Sequence, residues 1–227
     1  MNRRAVATAG LCLLLFTGCE SGQSPPQADT EAEVATATDD TLRLLYWQAP
    51  TILNPHFSSG FKDSEASRIT LEPLASFDAE GDLVLFLAAE APSLENGGVS
   101  EDGTTVTWQL KEGILWSDGT PFTAADVVFT YEFIVNPETA TTSAGSYEVI
   151  ERVEALDDTT VQITFAEPNP AWYLVFTGTE GMILPQHIFA DYNGPNGREA
   201  PGNTMPVGTG PYRVTSFTPG DVIVYEA

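Results

Sequence analysis

From Thr41 onward, apolar and polar residues recur with periods that predict alternating strands and helices. Leu42, Leu44 and Tyr46 alternate with Arg43 and Leu45 as a short strand, and Asn54-Pro55 closes the loop that follows. Between Asp63 and Leu74, the spacing of Ala66, Ile69 and Leu74 behind early acids predicts a helix. Asp78-Ala79-Glu80-Gly81 is a turn, and the apolar run from Leu83 to Ala89 fits a strand or a buried helix equally well. After turn chemistry at Asn96-Gly97-Gly98 and Glu101-Asp102-Gly103, Val106, Trp108 and Leu110 alternate with Thr105, Thr107 and Gln109 as a half-buried strand. A second strand is expected from Ile114 to Trp116, ending at Ser117-Asp118-Gly119-Thr120. Thr123 and Asp126 have capping-box spacing before a helical face of Val127, Val128, Tyr131 and Ile134, which Asn136-Pro137 ends. Tyr147–Leu156 and Val161–Phe165 form a hairpin around Asp157-Asp158. Pro170–Thr177 predicts a short aromatic helix and Pro185–Ala190 a helical turn, with a Gly- and Pro-rich loop from Asp191 to Asn203. A last hairpin joins Tyr212–Phe217 to Val222–Glu226 across Thr218-Pro219-Gly220-Asp221. Its final strand has no cover for its outer edge, as expected of a truncated chain.

The first 40 residues lack these periods. Arg3 and Arg4 precede an uncharged run, 5–16, shorter than the roughly 20 apolar residues a bilayer core requires. The run suits the apolar part of a signal peptide, 1–18. Phe16-Thr17-Gly18-Cys19 resembles a lipobox, with Phe16 where Leu is usual, so Cys19 is the expected lipidation site. The other cysteine, Cys12, lies inside the signal, so the processed protein has no disulfide. Residues 19–40 are rich in Ser, Thr, Ala, Pro and acid without a base, and predict a self-repelling tether. A lipid anchor and spacer place the body outside the cytoplasmic membrane, in the periplasm or at the cell surface.

Composition adds a core and a charge. With 42% apolar residues in a 227-residue chain, there is enough material for a packed body without staples. Nine Lys and Arg stand against 32 Asp and Glu, a formal charge of −23. Such a surface repels phosphate backbones and excludes nucleic acid as a partner. The acidity fits a solvated surface, a salty habitat or attraction of cationic solutes, and composition does not separate the last two.

Catalytic patterns are missing. There is no Gly-x-Ser-x-Gly elbow and no His-Glu-x-x-His. His56 and His187 lie far apart with no cysteine to join them, so no metal site is expected and both read as structural or surface residues. Gly208-Thr209-Gly210 is followed by Pro211, where a phosphate cradle would need an N–H, and reads as a tight turn. No cofactor is implied, and binding gains weight over bond-breaking.

One long segment is more specific. Thr107-Trp108-Gln109-Leu110-Lys111-Glu112-Gly113, followed by 116–129 (WSDGTPFTAADVVF), resembles the signature of family 5 extracellular solute-binding proteins. These are the oligopeptide-, dipeptide- and nickel-binding receptors of ABC importers. Leu53-Asn54-Pro55-His56, Glu72-Pro73-Leu74, Ile183-Leu184-Pro185-Gln186-His187 and Pro206–Tyr212 match in family order, so the resemblance covers 41–227.

The resemblance implies an α/β fold of the type II periplasmic-binding-protein kind. Residues 41–77 and 168–227 would form a discontinuous lobe I, 78–167 an inserted β-rich domain II, and the second lobe would lie beyond Ala227. It also implies an extended ligand held through its backbone between two lobes. Carried onto this chain, the loop Trp47, Gln48, Ala49 and Pro50 would meet the ligand, with Thr179 and Glu180 added from the turn after the aromatic segment. Gln48 is neutral where many peptide receptors of this family place an acid for the ligand amine. The expected partners are a peptide or other small solute, ABC permease subunits and a membrane reached through the Cys19 lipid, with the protein a monomer and not an enzyme. Two other readings stay open: a surface sensor of the same fold, and an extracytoplasmic hydrolase.

Overall fold

The computed structural model describes residues 40–227, so the signal, Cys19 and nearly all of the tether lie outside the described residues. The described chain forms two units divided after Leu44. In the first, residues 40–44 carry no helix or strand. The expected strand at 42–46 is absent: among the described residues no strand pairs with it, and Leu42, Leu44 and Leu45 are exposed. A strand without a ladder partner has no place for its backbone groups but solvent.

In the second unit, residues 45–227, helix α1 spans Phe61–Ser67 and strand β1 spans Ala75–Phe77. The helix is shorter than its periodicity predicts. The Thr70 carbonyl accepts from Gly210 N–H at 2.9 Å, so a crossing segment replaces the next helical turn. The apolar run after the Asp78 turn divides into β2 (Leu83–Leu85), paired with β1, and β3 (Ala88–Glu90). The break comes where the Phe86 and Ala88 N–H groups both turn to the Leu74 carbonyl.

Strand β4 (Thr105–Leu110) lies at the centre of the main sheet. β5 (Ile150–Asp157) and β6 (Thr160–Phe165) complete the antiparallel order β3-β4-β6-β5. Val106 faces Ile163 and Trp108 faces Val161 across the ladder, all four buried. The alternation in both strands therefore turns one face to the core. No strand forms at 114–116. Trp116 N–H donates to the Thr120 carbonyl and Phe122 N–H to that of Ile114, and the returning arm contains Pro121, which has no N–H to extend a ladder.

Helix α2 (Ala124–Val135) starts where its capping residues predict. The Asp126 carboxylate accepts from Thr123 N–H at 3.0 Å, and Asn136 ends the helix before Pro137. α2 is apolar on two sides. Val127 and Ile134 join the sheet core with Trp108, Ile163 and Phe176, whereas Phe129 and Phe133 join a second cluster with Phe57, Leu71, Met182, Leu184 and Phe189. Tyr147 belongs to the short helix α3 (Ala144–Tyr147) rather than to β5, because its ring is drawn into the core against Phe176. The aromatic segment forms a 3-10 turn, Trp172–Leu174, and goes no further, since Phe176 has a φ of 58°. Helix α4 (Gln186–Phe189) is followed by 3-10 turns through Asn203, and β7 (Arg213–Thr218) pairs with β8 (Val222–Glu226). Helix and strand are mixed throughout, as an α/β chain requires.

Candidate functional site

The long motif residues are joined by one buried carboxylate. Asp126 accepts from Trp116 Nε1 at 3.3 Å and Thr123 N at 3.0 Å on one oxygen, and from Gln186 N at 2.9 Å on the other. Burial pushes its carboxyl above the usual range, against the opposing pull of these bonds. The motif thus ties the 116–120 turn, the start of α2 and the start of α4 together. His187 seals the same corner, with Nε2 2.7 Å from Asp118 Oδ2 and its ring edge-on to Trp116.

The Leu53–His56 piece is equally architectural. Leu53 N–H donates to the Asn203 carbonyl, Asn54 Nδ2 to Asn203 Oδ1, and Asn54 Oδ1 caps the 3-10 turn Pro55–Phe57 through His56 N. His56 is fully buried. Nε2 lies 2.8 Å from the Met182 carbonyl, which only accepts, so Nε2 carries the proton and Nδ1 takes the Ser143 hydroxyl at 3.1 Å. Gly208 approaches the Thr70 carbonyl so closely that a Cβ would lie 1.9 Å from the oxygen. Close backbone approach, rather than phosphate, explains that glycine.

The loop before Leu53 differs in character. Trp47 is 78% exposed, Gln48 is exposed, and Ala49 and Pro50 are half-buried. None belongs to a helix or strand. The loop is fastened at its base, where the Pro50 carbonyl accepts from Gly220 N–H at 2.7 Å. Asp63 Oδ1 takes the N–H groups of Thr51 at 2.7 Å and Ile52 at 3.3 Å. Sequence reasoning assigned Asp63 only to the acidic start of α1. Nothing in its spacing showed that the carboxylate turns back to the loop.

Thr179 and Glu180 lie in a 3-10 turn, Thr179–Gly181, beyond Phe176 and Gly178, which both have positive φ. A non-glycine residue held at such a φ costs on the order of 1 kcal/mol. The packing of the buried Phe176 ring on Tyr147, 5.2 Å between centroids, offsets that cost. Glu180 Oε2 accepts from Ser146 Oγ at 2.7 Å, and its carbonyl accepts from the Tyr147 hydroxyl at 3.1 Å. The turn neighbours the 55–57 turn. Among the described residues no hydrogen bond joins Thr179 or Glu180 to Trp47, Gln48, Ala49 or Pro50.

Two surface cavities lie elsewhere. One, about 340 Å³, is lined by Tyr131, Asn136, Tyr147 and Glu148 among others, and a smaller one of about 130 Å³ lies beside Asn96 and Gln109. Neither includes a candidate ligand residue. Among the described residues no three His, Cys, Asp or Glu side chains gather as a metal site, and no helix is long and apolar enough to cross a membrane.

Known proteins share this fold. Residues 86–227 match the model of the bacterial extracellular solute-binding proteins, family 5 Middle. Protein XP55 of Streptomyces lividans is 33% identical over 78% of this chain and 30% of its own length. The periplasmic oligopeptide-binding protein OppA of Escherichia coli is 28% identical over 100% of this chain and 42% of its own. NikZ of Campylobacter jejuni, solved in complex with Ni(L-His), superposes with a TM-score of 0.66 at 28% identity over 78% of this chain and 33% of that one. The oligopeptide-binding protein AppA of Bacillus subtilis shares the fold, with a TM-score of 0.70 at 24% identity over 79% of this chain and 34% of that one. The chain belongs to family 5 of the bacterial extracellular solute-binding proteins. It spans less than half the length of these relatives.

Proposed function

We propose that this chain is the N-terminal part of a receptor that captures peptides or related small solutes outside the cytoplasmic membrane and delivers them to an ABC permease. The family match over 86–227 carries the reading. The chain contributes recognition rather than catalysis: its histidines are committed to a carbonyl and a carboxylate. In this reading 41–77 and 168–227 form one jaw, 78–167 an inserted domain, and an opposing lobe closes over the ligand. Trp47 and Gln48 stand exposed as an arm that could pair with an extended peptide. Ala49 and Pro50 form the base of the arm, and Thr179 and Glu180 provide a second edge. One Glu180 oxygen already holds Ser146, which leaves the other for a ligand amine.

Calorimetry on the full-length protein with tri- to nonapeptides, sugars and nickel chelates tests this. At least one solute class should bind, and no heat or thermal shift with any would sink the receptor reading. Because one jaw leaves a ligand half solvated, residues 41–227 alone should bind the same solute at least about 100-fold more weakly. Equal affinity would show that the second jaw is dispensable. Anchoring through Cys19 predicts that Cys19→Ala moves the protein from the membrane fraction to the soluble one.

A further inference from the structure

We propose that Asp63 is a positioning residue for the ligand loop, with a buried carboxylate that clamps the base of the 47–52 arm in one conformation before any ligand arrives. An acid in the first turn of a helix ordinarily serves the helix's own free N–H groups. Asp63 does otherwise. Its Oδ1 takes the backbone of Thr51 and Ile52, and the Thr51 hydroxyl at 3.4 Å. Its Oδ2 takes the Ser58 hydroxyl at 2.5 Å. Lys62 Nζ sits 2.8 and 2.7 Å from the two oxygens, and also donates to Thr51 Oγ1 at 2.8 Å. Asp63 is only 2% exposed. A buried carboxylate is tolerated only where donors replace its water, and here every donor but Lys62 comes from outside the helix.

Two further bonds continue the clamp, Gly220 N–H to the Pro50 carbonyl and Leu53 N–H to the Asn203 carbonyl. Each residue from 50 to 53 thus has a backbone group fixed. Among the described residues, Trp47 and Gln48 make no such bond. The arm is free at its tip and rigid at its base. Holding a recognition loop in its binding conformation removes an ordering penalty from association. The inference rests on the receptor reading for what the arm binds, but not for the clamp itself.

Hydrogen exchange and binding of a randomised tetrapeptide mixture, both on the full-length protein, test it. Asp63→Asn keeps the shape and loses the charge. It should speed exchange at the Thr51 and Ile52 amides by about tenfold or more and weaken tetrapeptide binding by about tenfold, chiefly through slower association. Ser58→Ala removes a single donor. It should produce a smaller rise at the same two amides, and serves if Asp63→Asn does not fold. Thr130→Ala removes two buried bonds, Thr130 Oγ1 to the Asp126 carbonyl and Leu184 N–H to Thr130 Oγ1, neither of which involves residues 47–53, and should leave both amides and association unchanged. Exchange at 51 and 52 that rises no more in Asp63→Asn than in Thr130→Ala overturns the clamp. Faster exchange with unchanged association overturns its role in binding. If the wild-type protein binds no tetrapeptide, the receptor reading fails for peptides, and exchange alone decides the clamp.

Discussion

The imidazole of His56 lies between the Met182 carbonyl and the Ser143 hydroxyl, with no exposed atom. Burial lowers its pKa from 6.5 to about 4, against the opposing hydrogen bond to Met182. The folded protein therefore keeps His56 neutral while the unfolded chain protonates it near pH 6.5. With a depressed folded pKa, this stability is intact above about pH 6.5 and declines as pH falls toward 4, by about 3 kcal/mol in total. Urea unfolding at pH 7 and pH 4 measures it. His56→Gln offers the same carbonyl an amide N–H without titrating, and should flatten the fall by that amount; an unchanged slope would refute the assignment. Asp63 titrates in the same sense for a different reason. Burial alone would raise its carboxyl, but bonds from Lys62, Ser58, Thr51 and Ile52 outweigh that and hold it below the usual range. The loop clamp should thus persist as pH falls through the ordinary carboxylate range and release only as the lowered folded pKa is reached. Of these residues, His56 was legible only as structural or surface, and its full burial was not. Asp63 was not, because its partners are backbone groups 11 and 12 positions away.

Among the elements, local pattern succeeded where local physics decides the outcome. β4 and β6 alternate as expected, β6 forms its hairpin with β5, α2 starts and stops at its caps, and the last hairpin turns at Pro219-Gly220. It failed where another segment intervenes. α1 stops because 208–210 docks on the Thr70 carbonyl, and 114–116 forms no strand because Pro121 faces it. The candidate ligand loop has no periodicity at all, and only the family resemblance pointed to Trp47–Pro50. The docking at Thr70 makes a prediction of its own. Gly208→Ala puts a methyl group 1.9 Å from that carbonyl oxygen, so the segment must withdraw and the bonds Ser117 N–Gly208 O and Gly210 N–Thr70 O weaken. A loss of roughly 3 kcal/mol is expected. Gly145→Ala, in α3 with nothing within 4 Å of the new methyl, should instead be neutral or gain up to about 1 kcal/mol. Equal unfolding midpoints for the two variants would show that the Gly208 contact relaxes without cost.

For the whole molecule, the dominant fact is the formal charge of −23. Attractive pairing offsets little of it. The described ion pairs are Lys62–Asp63, Arg152–Glu154 and Arg213–Glu226, and in the last two both partners are largely exposed. Exposed pairs contribute little, so among the described residues few acids are neutralised by a cation. Their mutual repulsion is greater in the compact state than in the extended chain, and salt screens it over about 10 Å at 0.1 M. Raising sodium chloride from about 0.01 to 0.5 M should therefore stabilise the protein by about 1 kcal/mol, roughly 2–4 °C in Tm. Most of the gain should come by about 0.1 M, where the screening length has already fallen from about 30 Å to about 10 Å. The Asp63 clamp predicts an exception, since a buried ion pair is screened far less than a surface one. Amide exchange at Thr51 and Ile52 should stay level across the series while the global Tm climbs. A falling Tm would mean that the exposed pairs outweigh the repulsion, and exchange at those two amides that rises with salt would mean that the Lys62–Asp63 pair is open to ions.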